Sequence, residues 1–122
     1  LGIRVGAHVI LGLPGEEHDE LMRQARMVGE LPLTTLKLHQ LQIIRGTRMA
    51  REYEENPWHM PTVEEYIQLV RDYVAYIPCN ILLERFVSSS PKELLIAPSW
   101  GLKNYEFANL LRRYPEFDGR VQ

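Results

Sequence analysis

His8, Lys37, His39 and Arg85 are the residues of this 122-residue chain with the most chemistry to offer for where they stand. Each falls in an apolar run that reads as a β-strand. An imidazole, an ammonium or a guanidinium is costly in a strand covered on both faces unless something compensates it. A lone strand histidine is ordinarily a core residue with one satisfied hydrogen bond. Four polar residues spread over three strands fit another arrangement better. In a (β/α) barrel, alternate residues of every strand point inward, and the polar ones line a site near the carboxyl-terminal rim. The four are therefore candidate lining residues of such a cavity. His8 and His39 with a carboxylate form a conceivable zinc or iron site, but their spacing matches no metal-binding motif. Cys79 follows Pro78 without a histidine arrangement beside it, and reads as a buried or incidental thiol rather than a nucleophile.

The turn Gly12-Leu13-Pro14-Gly15 is the other candidate. It ends the first strand and opens a helix, so it brings backbone and a helix N-terminus toward whatever binds there. It lacks the Gly-Lys-Ser/Thr ending of a phosphate-binding loop. The acids Glu16, Glu17, Asp19 and Glu20 just after it complement the helix dipole and disfavour a phosphate.

The elements that must position these residues follow from periodicity. A first strand covers 4–11, nearly continuous in apolar residues as in a parallel strand buried on both faces. A helix over 16–30 carries one stripe of Leu21, Met22, Ala25, Val28 and Leu31. A second strand, 35–44, alternates polar and apolar and puts Lys37, His39 and Leu41 on one face. A short helix spans 48–55. Thr62-Val63-Glu64-Glu65 is a capping box opening a helix with Tyr66, Ile67, Val70, Val74 and Ile77 on one face, which ends at Pro78. On and beside it, Tyr66, Tyr73 and Tyr76 read as packing residues. A third strand covers 80–87. Ser90-Pro91 then has the form of a helix cap and first helical residue, and a last helix covers 105–113. Trp58 and Trp100 sit in Pro-containing loops, as loop anchors or as part of a substrate mouth. The order is that of an α/β fold with about three parallel strands and crossover helices, a partial (β/α) barrel. Three such strands leave two open edges. The chain also runs from Leu1 straight into the first strand, so it reads as an excised piece of a larger fold.

Composition excludes several classes. A net charge of −2 gives no electrostatic case for nucleic acid or an anionic membrane. No apolar run approaches the ~20 residues that span a bilayer, and no signal peptide is recognisable. The single cysteine forms no internal disulfide, which points to a reducing, cytoplasmic setting. Open sheet edges on an isolated piece point to self-association as a homodimer.

The ordered set His8-Val9-Ile10-Leu11-Gly12-Leu13-Pro14-Gly15-Glu16, Leu36-Lys37-Leu38-His39-Gln40-Leu41 and Gly46-Thr47 resembles the later portion of a radical S-adenosylmethionine (radical SAM) enzyme. The branch it resembles is that of the Elongator catalytic subunit and oxygen-independent coproporphyrinogen oxidase. Tyr66, Glu84-Arg85 and Ala97-Pro98-Ser99-Trp100 resemble an uncharacterised bacterial group of iron-sulfur oxidoreductases within it. The resemblance implies a six-stranded partial barrel that binds a 4Fe-4S cluster and S-adenosylmethionine and cleaves the latter reductively to a 5′-deoxyadenosyl radical. It implies that Ile10 and Gly12 bracket the adenine, and that the strand end at His39, Gln40 and Leu41 contacts it partly through backbone. The family's Cys-x-x-x-Cys-x-x-Cys and Gly-Gly-Glu motifs are absent here. The resemblance thus implies a carboxyl-terminal portion, over 1–122, that lacks the cluster-binding half of its barrel and is inactive alone. Neither cluster nor S-adenosylmethionine is expected to bind this segment by itself; a tRNA-related substrate is the branch's implication. Two alternatives stand beside it. One is a free-standing α/β domain that binds a ligand or partner through the Gly12–Gly15 turn. The other is a different (β/α) barrel with His8 and His39 as metal ligands.

Overall fold

The computed structural model describes residues 4–117, 119 and 120; the first three residues of the leading run lie outside them. The elements are β1 (Gly6–Leu11), α1 (His18–Gly29), β2 (Thr35–Gln40), β3 (Ile43–Ile44), α2 (Arg48–Glu55), α3 (Val63–Val74), β4 (Leu82–Arg85), β5 (Leu95–Ala97) and α4 (Asn104–Leu111), followed by a 3-10 turn at Pro115–Phe117. β1, β2 and β4 form one parallel sheet in that order, with His8 opposite Lys37 and Ile10 opposite His39. The fold is α/β with three parallel strands, a partial (β/α) arrangement.

Helices α1, α3 and α4 lie on one face of this sheet. Leu11, Leu36, Leu38 and Leu83 point into a core with Leu21, Met22 and Ala25 of α1, Tyr66, Val70, Tyr73 and Val74 of α3, and Phe107, Ala108 and Leu111 of α4. Threonine caps start α3 and α2. The Thr62 hydroxyl accepts from the Glu65 N–H (3.2 Å), and the Glu65 carboxylate accepts from the Thr62 N–H (2.9 Å). Thr47 caps α2 by accepting from the Ala50 N–H (3.1 Å). α1 ends where only glycine fits, since a Cβ on Gly29 would stand 2.4 Å from the Tyr76 carbonyl oxygen.

Several expectations change. β1 is not covered on both faces: Gly6, His8 and Ile10 are exposed, because helices cover only the other side. The second strand does not run to Ile44. It ends at Gln40, and β3 pairs antiparallel with β5 in a separate two-stranded ribbon. This ribbon encloses a small core of Leu41, Ile43, Ala50 and Ala97 with Tyr53 and Trp58 against it. No helix starts at Ser90-Pro91. The Leu94 and Leu95 N–H groups both donate to the Pro91 carbonyl, closing one turn that leads into β5. Leu31 lies beyond α1 and is 51% exposed, so the predicted stripe ends at Val28. Nor are both sheet edges open. The Leu83 N–H of β4 donates to the Arg120 carbonyl (3.3 Å). The Arg120 guanidinium is buried and donates to the carbonyls of Ile77 (3.0 Å) and Pro78 (2.8 Å).

Candidate functional site

Period-two alternation puts the apolar residues of the sheet against the helices and the polar ones on the opposite, open face. Of the predicted residues, His8, Lys37, His39 and Arg85 all fall on that open face. Lys37 stands opposite Arg85 across a register shift between Leu36 and Lys37, which leaves both Glu84 and Arg85 beside it. The Glu84 carboxylate lies between Arg4 (3.7 Å) and Lys37 (3.6 Å). Arg85 has no ion pair among the described residues.

His8 and His39 come together diagonally across β1 and β2. Their rings stack 8° from parallel with centroids 5.3 Å apart, and His8 Nδ1 is 3.1 Å from His39 Nε2. His39 Nδ1 is hydrogen-bonded in turn to the Ser88 hydroxyl. His39 is thus the middle of a three-membered chain. A neutral imidazole suits that place, since it offers one donor and one acceptor. Burial, and then the proximity of His8, Arg85 and Lys37, holds its pKa below the ordinary value.

The strand ends that frame this chain are held by side chains. Gln40 donates to the Ser88 carbonyl (2.9 Å) and accepts from the Ser88 N–H (2.8 Å), imitating a strand partner. Gln42 donates to the same carbonyl (3.1 Å). One and two residues before Ser88, Asn104 Oδ1 accepts from the N–H groups of Val87 (3.3 Å) and Phe86 (2.9 Å), and the buried Tyr66 hydroxyl donates to the Phe86 carbonyl (2.6 Å). Tyr66 therefore does more than pack. Ser88, Gln42 and Asn104 are missed by sequence reasoning, because their partners lie 17 to 49 residues away. The alternation of β2 carried past its end to Gln42 was the one available signal.

A cavity of about 460 Å³ opens over these groups, lined by His8, Ile10, His39, Gln40, Leu41, Gln42, Ile44 and Ser88. It gathers four of the five residues predicted to contact a cofactor: Ile10, His39, Gln40 and Leu41. Gly12 is not among them. With φ of 89° it turns the chain out of β1, and it lines a neighbouring concavity of about 420 Å³ with Leu13, Pro14, Gly15, Trp58 and the His59–Glu65 pair (2.8 Å). Lys37 and Arg85 border the open face without lining either space. Both tryptophans anchor their loops. The Trp100 indole N–H donates to the Pro61 carbonyl (3.1 Å) and its ring packs on Tyr66, while Trp58 packs edge-on against Tyr53. Tyr73 is buried, and burial with Glu16 nearby pushes its hydroxyl up to about 12. Tyr76 is partly exposed beneath the Arg26 guanidinium. Cys79 is exposed, not buried. Among the described residues no group of three or more His, Cys, Asp or Glu is placed to hold a metal ion, and no helix is long and apolar enough to cross a membrane.

The chain is 34% identical over 121 residues to the uncharacterised protein YtqA of Bacillus subtilis, covering 99% of this chain and 38% of that protein. It is 30% identical over 109 residues to an uncharacterised protein of Methanocaldococcus jannaschii (88% and 34% covered). The identity is again 30%, over 99 residues, to the protein YhcC of Escherichia coli (81% and 32% covered). It spans about a third of the length of these curated relatives. Residues 33–116 match the radical SAM C-terminal domain. That stretch takes in β2, the Gln40–Ser88 clip and every helix but α1, and on it the chain belongs to the radical SAM C-terminal domain family.

Proposed function

We propose that this chain forms the adenine-side wall and part of the substrate cavity of a radical SAM enzyme. The observation that carries the reading is the convergence of Ile10, His39, Gln40 and Leu41 on one cavity at the carboxyl ends of parallel strands, the usual ligand-binding end of such sheets. The cavity suits a purine. Ile10, 48% exposed, offers an apolar surface to a ring face together with Leu41 and Ile44, and His8 Nε2, which the His8–His39–Ser88 chain leaves free, with the second N–H of the Gln42 amide, offers polar contacts to a ring edge. S-adenosylmethionine, when bound and reduced at a cluster, supplies a 5′-deoxyadenosyl radical to a substrate. The donor set here does not fit that cluster, with one exposed cysteine and no metal-ligand group among the described residues. The reading therefore assigns the cluster to a different segment of the full-length protein. That segment would pack along the open β1 edge. The branch of the Elongator catalytic subunit and oxygen-independent coproporphyrinogen oxidase, a tRNA-related substrate and a cytoplasmic setting belong to the same proposal and rest on the motif resemblance.

In this reading the chain's own residues bind and orient. His39, held neutral between His8 and Ser88, keeps a fixed ring plane at the cavity floor, and Gln40 fixes the depth of the rim. The test is S-adenosylmethionine binding by the full-length protein, reconstituted anaerobically with iron and sulfide. Ile10→Glu is expected to weaken binding about tenfold or more, the equivalent of about 1.4 kcal/mol. Unchanged affinity, with the variant folded as judged by circular dichroism, overturns the assignment.

A further inference from the structure

Behind the Ser88 clip lies a second, smaller cavity of about 230 Å³ that the reading above leaves unused. It shares Gln40, Gln42 and Ser88 with the first and is completed by Ser89, Ser90, Lys92, Trp100 and Lys103 among others. Its charge is unlike that of the chain, whose net charge is −2: two lysines line it and no carboxylate does. Lys37 on the open face is neutralised by Glu84, whereas neither Lys92 nor Lys103 has an ion pair among the described residues. Glu106, in the first turn of α4, accepts from the Lys103 backbone N–H (3.1 Å) but does not line the cavity. The walls are fixed. Ser90 donates to Gln42 Oε1 (2.7 Å), and Trp100 is tied to the Pro61 carbonyl and packed on Tyr66. Lys92, Lys103 and Ser89, the serine whose hydroxyl takes no part in these bonds, thus border a concavity whose lining contains no carboxylate.

From this we infer that the cavity is an anion seat, which holds a phosphate or carboxylate group of a small-molecule substrate whose other end reaches the His8–His39 cavity. The inference rests on the proposed function for its direction, since the two cavities share a wall. Unpaired ammonium groups gain most from an anion that hydrogen-bonds to both at once. A small ligand fits better than a polyanion: two lysines on a net-negative chain neutralise too few phosphates for nucleic acid to be held through its backbone.

The test is a titration of the isotopically labelled full-length protein at constant ionic strength, with inorganic phosphate, acetate and a single-stranded oligonucleotide in separate arms. The readout is the amide signals of Ser89 and Ser90 and the indole signal of Trp100. Phosphate or acetate is expected to shift them saturably, and whichever binds more tightly names the anion. In a Lys92→Met, Lys103→Met double variant of unchanged melting temperature, the affinity is expected to fall at least about fivefold, and Lys→Arg at both positions to retain it. Shifts that never saturate, or an affinity the double variant keeps, overturn the inference. An oligonucleotide that binds at these signals more tightly than phosphate overturns the small-molecule class. Adenosine, added separately and read at Ile10 and His39, tests the other cavity. Loss of that response with the phosphate response intact fails the adenine reading alone, and the converse fails the anion seat alone.

Discussion

The Tyr66 hydroxyl is one atom on which a site depends from outside it. It is buried, it donates to the Phe86 carbonyl, and burial pushes its pKa up from the ordinary tyrosine value. Tyr66→Phe keeps the ring packing against Phe107 and leaves that carbonyl without its donor. A loss of about 1–3 kcal/mol is expected in urea unfolding, the cost of an unsatisfied buried acceptor. A change within experimental error would show that water replaces the bond. His39 carries a pH dependence whose sign is fixed by its environment. Its folded pKa lies below the ordinary 6.5, so the unfolded chain binds the proton more readily. Stability from this residue is complete above pH 6.5 and declines as pH falls through 6.5 toward the lower folded value. Melting temperature followed from pH 8 to 5 is expected to fall less in His39→Gln than in the parent, and equal falls would remove His39 as the cause. These residues differ in how far they are legible beforehand. The face shared by Lys37 and His39 follows from period two along one strand. The contact of His39 with Ser88 does not, because it depends on where β4 ends and on the register shift beside Lys37, and neither is encoded near either residue.

At the scale of elements, α1 and the end of α3 meet with no room for a methyl group. Gly29→Ala places a Cβ against the Tyr76 carbonyl, which is backbone and unable to swing aside. Such overpacking costs about 1–3 kcal/mol, in contrast to the gain usual when glycine inside a helix is replaced by alanine. Thermal denaturation distinguishes the two signs directly. The long helices were legible because each has an apolar stripe, and α3 also has a reciprocal cap. β5 was not. Three residues, Leu95-Ile96-Ala97, set between prolines carry no period, and their partner β3 lies some fifty positions earlier. Pairing of that kind is decided by a tertiary core, here Ile43 and Ala97 packing with Leu41 and Ala50. The same core explains why an apparently continuous second strand breaks after Gln40: Leu41 and Ile43 turn away to fill it.

For the molecule as a whole, the two sides of the sheet are finished differently. The β4 edge is bridged by Arg120, whereas the β1 side presents Val5, Met27 (61% exposed) and Leu31 around a shallow apolar concavity of about 290 Å³ with Val9 and Val28. Exposed apolar surface beside a free strand edge favours pairing with another chain, and the isolated 122-residue chain is expected to self-associate there. Light scattering is expected to show Met27→Lys, Leu31→Lys as monomer at concentrations where the parent chain is not; a parent that is itself monomeric removes the premise. The three-stranded sheet has a consequence for inheritance as well as for shape. Helices cover one of its faces and leave the other open, so on the proposed function neighbouring codons along β1 and β2 are expected to answer to different selections. On the proposed function, substitutions at Val9, Leu11, Leu36 and Leu38 are expected to alter how much protein survives, and those at His8, Ile10 and His39 what the survivor binds. A saturation library of these strands in the full-length, reconstituted protein, scored once for abundance and once for S-adenosylmethionine binding, is expected to show two combs of period two, offset by one residue. The chain can thus change its chemistry one tooth at a time without reopening the question of whether it folds.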